Sequence, residues 1–293
     1  MSWAFQKLKA VARNRVALGN GALDDSVRSD ASVEDRAAIG AARVAAHAVH
    51  ARASLSSVGD LFPDERGVPE VHARNLSASG VASALHHHGS LVVRELFDVE
   101  ALTQVRAHLH PDPLRILGLP VPADVDAMVA ELARVYESSG LLRVVRDYLS
   151  EPPVAAAHRI VVRRSTRETG GLAWHQDGQF FGTVGGLNVW TALDDCGVDR
   201  PSLNFVPRRV DYLIAPERTE LSADPGIDAA VSELLADRPF AEPPMRAGDA
   251  VLFDEMTVHR TGTRSWAVPH RDVAITWFFA PSRFPPGPTP LAF

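Results

Sequence analysis

The segment Gly171-Leu-Ala-Trp-His-Gln-Asp-Gly178 places a histidine and an aspartate two residues apart. On an extended chain, residues i and i+2 point to the same side, so the side chains of His175 and Asp177 can reach one ion. An imidazole nitrogen and a carboxylate oxygen, joined by a second histidine from a distant strand, form the facial triad of non-haem Fe(II) oxygenases. The segment therefore predicts two of the three ligands of a metal centre.

The spacing alone is weak evidence, because the chain contains two further His-x-Asp sequences. His110-Pro-Asp112 follows a predicted helix and lies at a proline, and His270-Arg-Asp272 has no histidine after it to complete a triad. Only His175-Gln-Asp177 lies near predicted strands and has a suitable histidine downstream. That histidine is His259, near the start of a predicted strand. We expect these three side chains to converge.

Arg271 is the charged residue of interest on the last long predicted strand. It alternates in phase with three apolar residues, Val273, Ile275 and Trp277. It therefore lies on an apolar face that points inward, where a guanidinium needs an anionic partner. A dicarboxylate co-substrate would supply that partner through a two-pronged ion pair. The alternative is an internal salt bridge to one of three acidic residues, Asp249, Asp254 or Glu255.

Helices are predicted early in the chain and strands later, a pattern that favours an α+β fold. After the first 75 residues, the predicted helices cover Asp98–His108, Ala123–Ser138, Leu141–Leu149 and Ile227–Leu235. The predicted strands are Leu91–Val93, Ala157–Arg164, Leu187–Leu193, Leu203–Val206, Ala250–Phe253 and Asp272–Ala280. The strands are rich in β-branched and aromatic residues and are bounded by turn residues.

Residues 1–75 differ from the rest and are interpreted as a helical N-terminal extension, with a second domain over residues 76–293. A basic amphipathic helix is predicted from Trp3 to Leu18, and an Ala-rich helix from Ala31 to Leu55. Packing of the basic helix on its own domain is favoured over a role at a membrane surface.

The composition limits the class of protein. The 293 residues are 46% hydrophobic and 23% charged, which is typical of a globular protein, and the formal charge of -6 argues against a nucleic-acid partner. No apolar run is long enough to predict a membrane span, and the N-terminus does not resemble a signal peptide. A single cysteine excludes a thiolate-rich metal site. We expect a cytoplasmic protein whose metal site uses some of its twelve histidines.

Four separated motifs, in this order, resemble the phytanoyl-CoA dioxygenase family of Fe(II)/2-oxoglutarate oxygenases. They are Trp174-His-Gln-Asp-Gly178, Gly248-Asp-Ala-Val-Leu-Phe253, His259-Arg-Thr-Gly262 and Arg271-Asp-Val-Ala-Ile-Thr276. The resemblance runs from about residue 77 to the end, and His88-Gly-Ser-Leu-Val-Val-Arg94 is similar to the strand that opens family members. It implies a double-stranded β-helix, a jelly-roll or cupin-like barrel, with flanking helices.

The resemblance also implies roles for individual residues. The implied Fe(II) ligands are His175, Asp177 and His259. Arg271 would bind the distal carboxylate of the co-substrate 2-oxoglutarate, and with the three ligands it forms the expected catalytic set. Thr261 is expected to share that carboxylate, and Trp190 is expected to lie near the co-substrate.

Three residues are expected to contact the substrate: Phe180, Phe181 and Arg164. The two phenylalanines lie in the glycine-rich stretch Gly178–Gly186, which is interpreted as a substrate-side loop; the alternative is a pair of core aromatics. Arg164 falls where relatives carry a cationic residue, and the alternative is an arginine that faces solvent. The chain departs from its relatives at Pro207-Arg-Arg-Val210, where they have a Pro-Gly-Ser-His turn.

These observations predict a dioxygenase that uses Fe(II), 2-oxoglutarate and O2 to hydroxylate a small molecule in specialised metabolism, with succinate and CO2 as co-products, as a monomer or homodimer. Halogenating relatives replace the carboxylate with a small residue, so Asp177 favours hydroxylation. Desaturation, epimerisation and cyclisation stay open, because all of them begin with hydrogen abstraction. The alternative from another class is a non-catalytic binding protein on this fold, and the complete set of four residues argues against it.

Overall fold

The computed structural model describes most of the chain after residue 57. The described residues are 58–109, 115–116, 119–120, 125–156, 160–167, 171–178, 185–214, 225–263, 266–285 and 290–293. The predicted helices Trp3–Leu18 and Ala31–Leu55 lie outside them, as do Phe180 and Phe181, so these expectations stay predictions.

Twelve strands and five α-helices make up the described part of the fold, with two short 3-10 helices at Ala73–Asn75 and Pro281–Arg283. The strands are β1 (Glu70–His72), β2 (Ser90–Arg94), β3 (Arg115–Ile116), β4 (Leu119–Pro120), β5 (Val154–Ala156), β6 (Val161–Thr166), β7 (Gly186–Ala192), β8 (Leu203–Phe205), β9 (Ala250–Phe253), β10 (His259–Thr261), β11 (His270–Phe279) and β12 (Pro290–Ala292). The helices are α1 (Ala78–His88), α2 (Val99–Ala107), α3 (Val125–Ser138), α4 (Leu141–Leu149) and α5 (Pro225–Leu234).

Eight strands form the main sheet, in the order β1-β2-β9-β7-β11-β5-β12, with β6 also paired to β11. Its pairings are antiparallel except for β1 with β2. At ten residues, β11 is long enough to pair with β6 along its first half and with β5 at its end. A second, smaller sheet pairs β8 with β10.

The strands of the main sheet alternate between two apolar environments, as expected for a sheet buried on both faces. On one face, residues such as Leu187, Val189 and Leu252 pack with the helices in the larger hydrophobic cluster. On the other face, Trp190 and Phe253 belong to a second cluster that also contains residues of the smaller sheet. The face toward the smaller sheet is therefore the inner face of the main sheet. The opposite face, which packs with the helices, is its helix-covered face.

Side-chain caps set the starts of two helices. The hydroxyl of Ser77 accepts a hydrogen bond from the backbone N–H of Gly80, and α1 ends at Gly89, which has a φ of 82°. The predicted cap at Asp98 is present, since its carboxylate accepts from the N–H of Glu100 at 3.0 Å.

Among the described residues, no helix is both long and apolar enough to cross a bilayer.

The predicted strands of the second half are found within two residues of their expected bounds, except for Ala157–Arg164. That stretch contains parts of two strands, β5 and β6, and residues 157–159 between them are not described. The expected domain boundary at residue 76 also differs from the structure, because β1 is already part of the main sheet. The result is a mixed α and β fold with a sheet-rich core.

Candidate metal centre

A closed pair of backbone hydrogen bonds joins the two predicted histidine ligands. The N–H of His175 donates to the carbonyl of His259 at 2.9 Å, and the N–H of His259 donates back to the carbonyl of His175 at 3.0 Å. Residues paired directly across two antiparallel strands point to the same face. The two imidazole rings accordingly lie 4.3 Å apart, centroid to centroid.

Asp177 brings its carboxylate to both rings. Its Oδ1 lies 3.6 Å from Nε2 of His175, and its Oδ2 lies 3.9 Å from Nε2 of His259. One ligand atom from each of the three residues lies within 4.8 Å of the other two. The structure therefore brings together the three residues that the sequence selected from a much longer list of histidines and aspartates.

Backbone carbonyls orient both rings so that Nε2 faces the cluster. Nδ1 of His175 lies 2.7 Å from the carbonyl of Ala173, and Nδ1 of His259 lies 3.0 Å from the carbonyl of Thr257. A carbonyl only accepts, so each Nδ1 carries the proton and each Nε2 keeps its lone pair. Burial lowers the pKa of His259 to about 4, with a smaller contribution from His175. A neutral imidazole is the form that binds a metal ion.

Gln176, between the two ligands of the motif, is a positioning residue that the sequence analysis did not identify. Its side chain is 1% exposed and donates to the carbonyls of Tyr212 and Met256 at 2.9 and 2.7 Å. Its carbonyl oxygen accepts from the N–H of Ile214 at 2.8 Å. The side chain therefore ties the metal-ligand segment to two other loops. Its partners are 36 to 80 residues away in sequence, which is why no local pattern revealed it.

Arg209, within the departure from the family turn, supports the loop that leads to His259. Its guanidinium forms an ion pair with Asp254, and both side chains are nearly buried. Asp254 in turn accepts hydrogen bonds from the N–H of Met256 and the hydroxyl of Thr257. The carbonyl of Thr257 orients the ring of His259. The Arg209–Asp254 ion pair therefore supports the position of this metal ligand indirectly, through the loop that contains Thr257.

Arg271 is fully buried on the inner face of β11, as predicted from its alternation with apolar residues. Nη1 donates to the carbonyls of Pro201 and Ser202, both at 2.7 Å. Nε and Nη2 are buried and have no hydrogen-bond partner among the described residues. These two nitrogens form the edge of a guanidinium that presents two parallel N–H donors to a carboxylate.

The internal salt bridge considered for Arg271 is absent from the described structure. The three acidic residues considered have other partners: Asp249 binds Arg94 at 2.7 Å, Asp254 pairs with Arg209, and the Glu255 carboxylate accepts from the N–H of Gly186 at 3.2 Å. The charge of Glu242 does act on Arg271, but no ion pair within 4.0 Å is found between these two described residues. The guanidinium thus lacks a direct anionic partner from this part of the chain.

Trp190 lies near Arg271, and Thr261 lies beside the metal-ligand segment. The ring centroid of Trp190 is 5.5 Å from the Arg271 guanidinium carbon. The hydroxyl of Thr261 accepts from the N–H of Leu172 at 3.0 Å, which leaves its own proton available to an acceptor. A Cβ on Gly171 would lie 2.5 Å from the side chain of Thr261, so this close approach requires glycine.

Arg164, expected near the substrate, is placed elsewhere. It pairs across the sheet with Asp272 and donates to both carboxylate oxygens at 2.8 Å. Asp272 alternates with Arg271 along β11, so this ion pair lies on the helix-covered face, opposite the metal centre. The placement supports neither substrate contact nor the alternative of an arginine free in solvent: Arg164 forms an internal ion pair.

Asn188 is a second residue that the sequence analysis overlooked. It lies on the inner face of β7, in register with Phe253 and Trp277, and is 2% exposed. Its Oδ1 is buried without a hydrogen-bond partner among the described residues. Phe253, its cross-strand neighbour, contacts the ring of His259, at 4.6 Å between centroids, so Asn188 lies on the face of the sheet that lines the metal centre. The available signal was a polar residue on a predicted strand that is otherwise apolar enough to be buried on both faces.

The His270-Arg-Asp272 sequence also forms a cluster, since His270 and Asp272 lie near Asp194. Arginines already neutralise its carboxylates: Arg164 and Arg106 bind Asp272, and Arg106 and Arg200 bind Asp194. This cluster is an ion-pair network, whereas the carboxylate of Asp177 has no arginine or lysine within 4.0 Å among the described residues.

Several solved structures have a similar fold. One is SnoN, described as a non-heme alpha ketoglutarate dependent epimerase from nogalamycin biosynthesis. Its complex with Fe3+, alpha ketoglutarate and nogalamycin RO is 19% identical, with a TM-score of 0.54 over 72% of this chain and 87% of that chain. EctD from S. alaskensis, in its apoform, is 17% identical, with a TM-score of 0.55 over 76% of this chain and 85% of that chain. At these identities the likeness shows the fold alone.

No curated protein sequence matches the chain. The sequence profile of the family described as phytanoyl-CoA dioxygenase (PhyH) matches residues 85–268. That match spans more than half of the chain and includes the three candidate metal ligands, whose geometry suits Fe(II) with 2-oxoglutarate as co-substrate. The chain therefore belongs to the phytanoyl-CoA dioxygenase family of Fe(II)/2-oxoglutarate-dependent enzymes.

Proposed function

We propose that this protein is an Fe(II)/2-oxoglutarate-dependent dioxygenase that hydroxylates a small molecule of specialised metabolism. The observation that carries the proposal is the guanidinium of Arg271, which is buried on the face that lines the metal centre and whose two-donor edge has no partner among the described residues. A buried charge of this kind is costly unless an anion joins it. The distal carboxylate of 2-oxoglutarate is an anion that fits this edge.

The donor atoms fit Fe(II). Nε2 of His175, Nε2 of His259 and the carboxylate of Asp177 would hold the ion, the ligand set of the facial triad. The imidazoles are oriented by carbonyl acceptors, a support that raises the basicity of metal-bound histidine. When bound, iron and 2-oxoglutarate together with O2 supply the oxidising chemistry, with succinate and CO2 as co-products.

The remaining residues position and enclose the reactants. Arg271 and the hydroxyl of Thr261 would hold the distal carboxylate, and Trp190 would close the space beside it. The cluster around Phe205 and Phe253 packs against His259 and limits water on that side of the metal centre. Strict positioning matters, since a displacement of about 1 Å can lower the rate by about 100-fold.

The proposal includes a double-stranded β-helix as the scaffold. Two sheets face each other across a shared apolar core, and the segment at His175 adds to the smaller sheet beside β10. In this arrangement the metal ligands lie between the sheets, and Arg271 lies on the main sheet opposite them.

Hydroxylation is the proposed outcome because Asp177 supplies the third metal ligand, the position at which halogenating relatives have a small residue instead of a carboxylate. Epimerisation at the same site is the second candidate, favoured by the fold shared with SnoN, which is described as an epimerase. Both begin with removal of a hydrogen atom from the substrate, and analysis of the products separates them.

The experiment that tests the proposal is the formation of succinate from 2-oxoglutarate by the Fe(II)-loaded protein under O2. His175→Ala should abolish it, and His270→Ala should retain it, because His270 belongs to the other His-x-Asp cluster. Iron binding without any succinate formation in the wild-type protein, with or without candidate substrates, would favour a non-catalytic binding protein.

A further inference from the structure

Arg163 is a second guanidinium on the inner face of the main sheet. Its Cα pairs with Val273 of β11, while Ser165 pairs with Arg271. Directly paired residues share a face, and Val273 belongs to the core between the two sheets. Arg163 therefore points to the metal-centre side, one diagonal step from Arg271, whereas its neighbour Arg164 points to the helix-covered side.

Arg163 has no hydrogen bond or ion pair with any described residue, and its Nε is buried. Burial, with a smaller contribution from the nearby positive charge of Arg271, lowers its pKa to about 10. Glu242 acts on Arg271, but no carboxylate among the described residues acts on Arg163. Two adjacent guanidiniums thus face the same space, and neither has an anionic partner in direct contact within the described part of the chain.

The charges of the proposed site leave Arg163 unmatched. If the proposed function holds, Fe(II) and Arg271 together carry three positive charges. The carboxylate of Asp177 and the two carboxylates of 2-oxoglutarate match them in number. Arg163 then remains as one half-buried positive charge on the inner face, and one further negative charge would match it. Neither the metal nor the co-substrate provides it.

We propose that Arg163 binds a carboxylate of the primary substrate, and that the substrate is therefore an organic acid. A single guanidinium matches the single charge of a carboxylate, whereas a phosphate with nearly two charges would leave an excess negative charge. This inference rests on the proposed function and names the substrate class for it. The competing assignment is that Arg163 joins Arg271 on the distal carboxylate of 2-oxoglutarate.

Calorimetric titration of 2-oxoglutarate into the Mn(II)-loaded protein distinguishes the two assignments of Arg163, because it measures co-substrate binding directly. It does not require turnover. Arg271→Gln should raise the dissociation constant of 2-oxoglutarate at least about tenfold, the usual loss when a buried charge pair is broken. Arg163→Gln should change it by less than about threefold, well below that loss. A loss in Arg163→Gln equal to that in Arg271→Gln would assign Arg163 to the co-substrate and overturn the inference.

The second measurement is thermal stabilisation of the Mn(II)- and 2-oxoglutarate-loaded protein by benzoate and cyclohexanecarboxylate, each compared with its carboxamide. The acids should stabilise the wild type and Arg163→Lys more than the amides do, and this difference should vanish in Arg163→Gln. Arg167→Gln, which changes an exposed arginine at the end of the same strand, is the matched control and should behave as wild type. Equal stabilisation by acids and amides in the wild type would overturn the inference. Failure of the proposed function would appear separately, as absence of 2-oxoglutarate binding by the wild type.

Discussion

His175 and His259 exchange both backbone hydrogen bonds, at 2.9 and 3.0 Å, although 84 residues separate them in the chain. This pairing of backbone groups places the two imidazoles side by side. Carbonyl acceptors then set the same tautomer on both rings. The candidate metal centre is therefore preorganised by backbone structure, and changes that disturb the backbone around it should lower metal affinity without removing a ligand.

Gln176→Ala tests this preorganisation. The variant loses three hydrogen bonds that hold the motif to the loops at Tyr212 and Met256. Loss of such supporting contacts typically lowers metal affinity by about 10- to 100-fold, so we expect a fall in Mn(II) affinity of that size. Gln104→Ala, at an exposed position on α2, is the control and should leave the affinity unchanged. Equal Mn(II) affinities for wild type and Gln176→Ala would show that the side chain does not position the ligands.

Arg209→Met should destabilise the protein far more than Arg208→Met, although the two residues are adjacent. Arg209 pairs with the nearly buried carboxylate of Asp254, and its loss leaves that charge unpaired, at a cost of about 3 to 5 kcal/mol. Arg208 pairs with the exposed Asp237, and such pairs contribute about 0 to 1 kcal/mol. Denaturant unfolding of both variants measures the difference. Similar free energies of unfolding would contradict the role given to the Arg209–Asp254 pair.

Arg164→Ala should lower stability and leave 2-oxoglutarate binding unchanged. Its guanidinium holds the buried Asp272 on the helix-covered face of β11, so we expect a loss of about 1 to 3 kcal/mol in the free energy of unfolding. Arg167→Ala at an exposed position is the control. A weakened affinity for 2-oxoglutarate with unchanged stability would indicate that Arg164 contributes to the candidate site.

Glu255→Gln should change how stability depends on pH. Burial, with a smaller contribution from the charge of Asp254, raises the pKa of Glu255 to about 8. In the unfolded chain this carboxyl ionises near pH 4.5, so between pH 4.5 and 8 the folded state holds a proton that the unfolded state has lost. The stability that this group contributes is therefore full below pH 4.5 and falls as the pH rises to about 8.

The Glu255→Gln variant has no ionisable group at this position, so it does not lose this stability as the pH rises. We expect the free energy of unfolding of Glu255→Gln, relative to wild type, to be higher at pH 8.5 than at pH 5 by at least about 1.4 kcal/mol, the equivalent of one unit of pKa. Glu233→Gln, on an exposed position of α5, should show no such trend. The opposite slope in Glu255→Gln would mean that the carboxylate is ionised in the folded protein at neutral pH.

Much of the fold and of the candidate centre followed from local pattern. The strands β7, β9 and β11 are rich in β-branched and aromatic residues, and the fixed spacing of His175 and Asp177 put two ligands on one side of the chain. The inward direction of Arg271 followed from alternation with apolar residues, and its full burial on the same face as the core residues Val273 and Trp277 confirms it.

What pattern could not supply was pairing between distant segments. Arg163 and Arg164 are adjacent, and only the register of β6 with β11 decides which of them faces the metal centre. The partners of Gln176 and Arg209 likewise come from distant loops. The short edge strands β1 and β12 have three residues each, too few to show a period.

The measurement that tests the central claim most directly is the titration of 2-oxoglutarate into the anaerobic Fe(II)-loaded protein, with and without the Arg271 guanidinium. We expect the wild type to bind 2-oxoglutarate only when the metal is present. We also expect Arg271→Gln to bind it at least about tenfold more weakly while it retains iron. Binding that is independent of the metal, or that is unchanged in Arg271→Gln, would contradict the account.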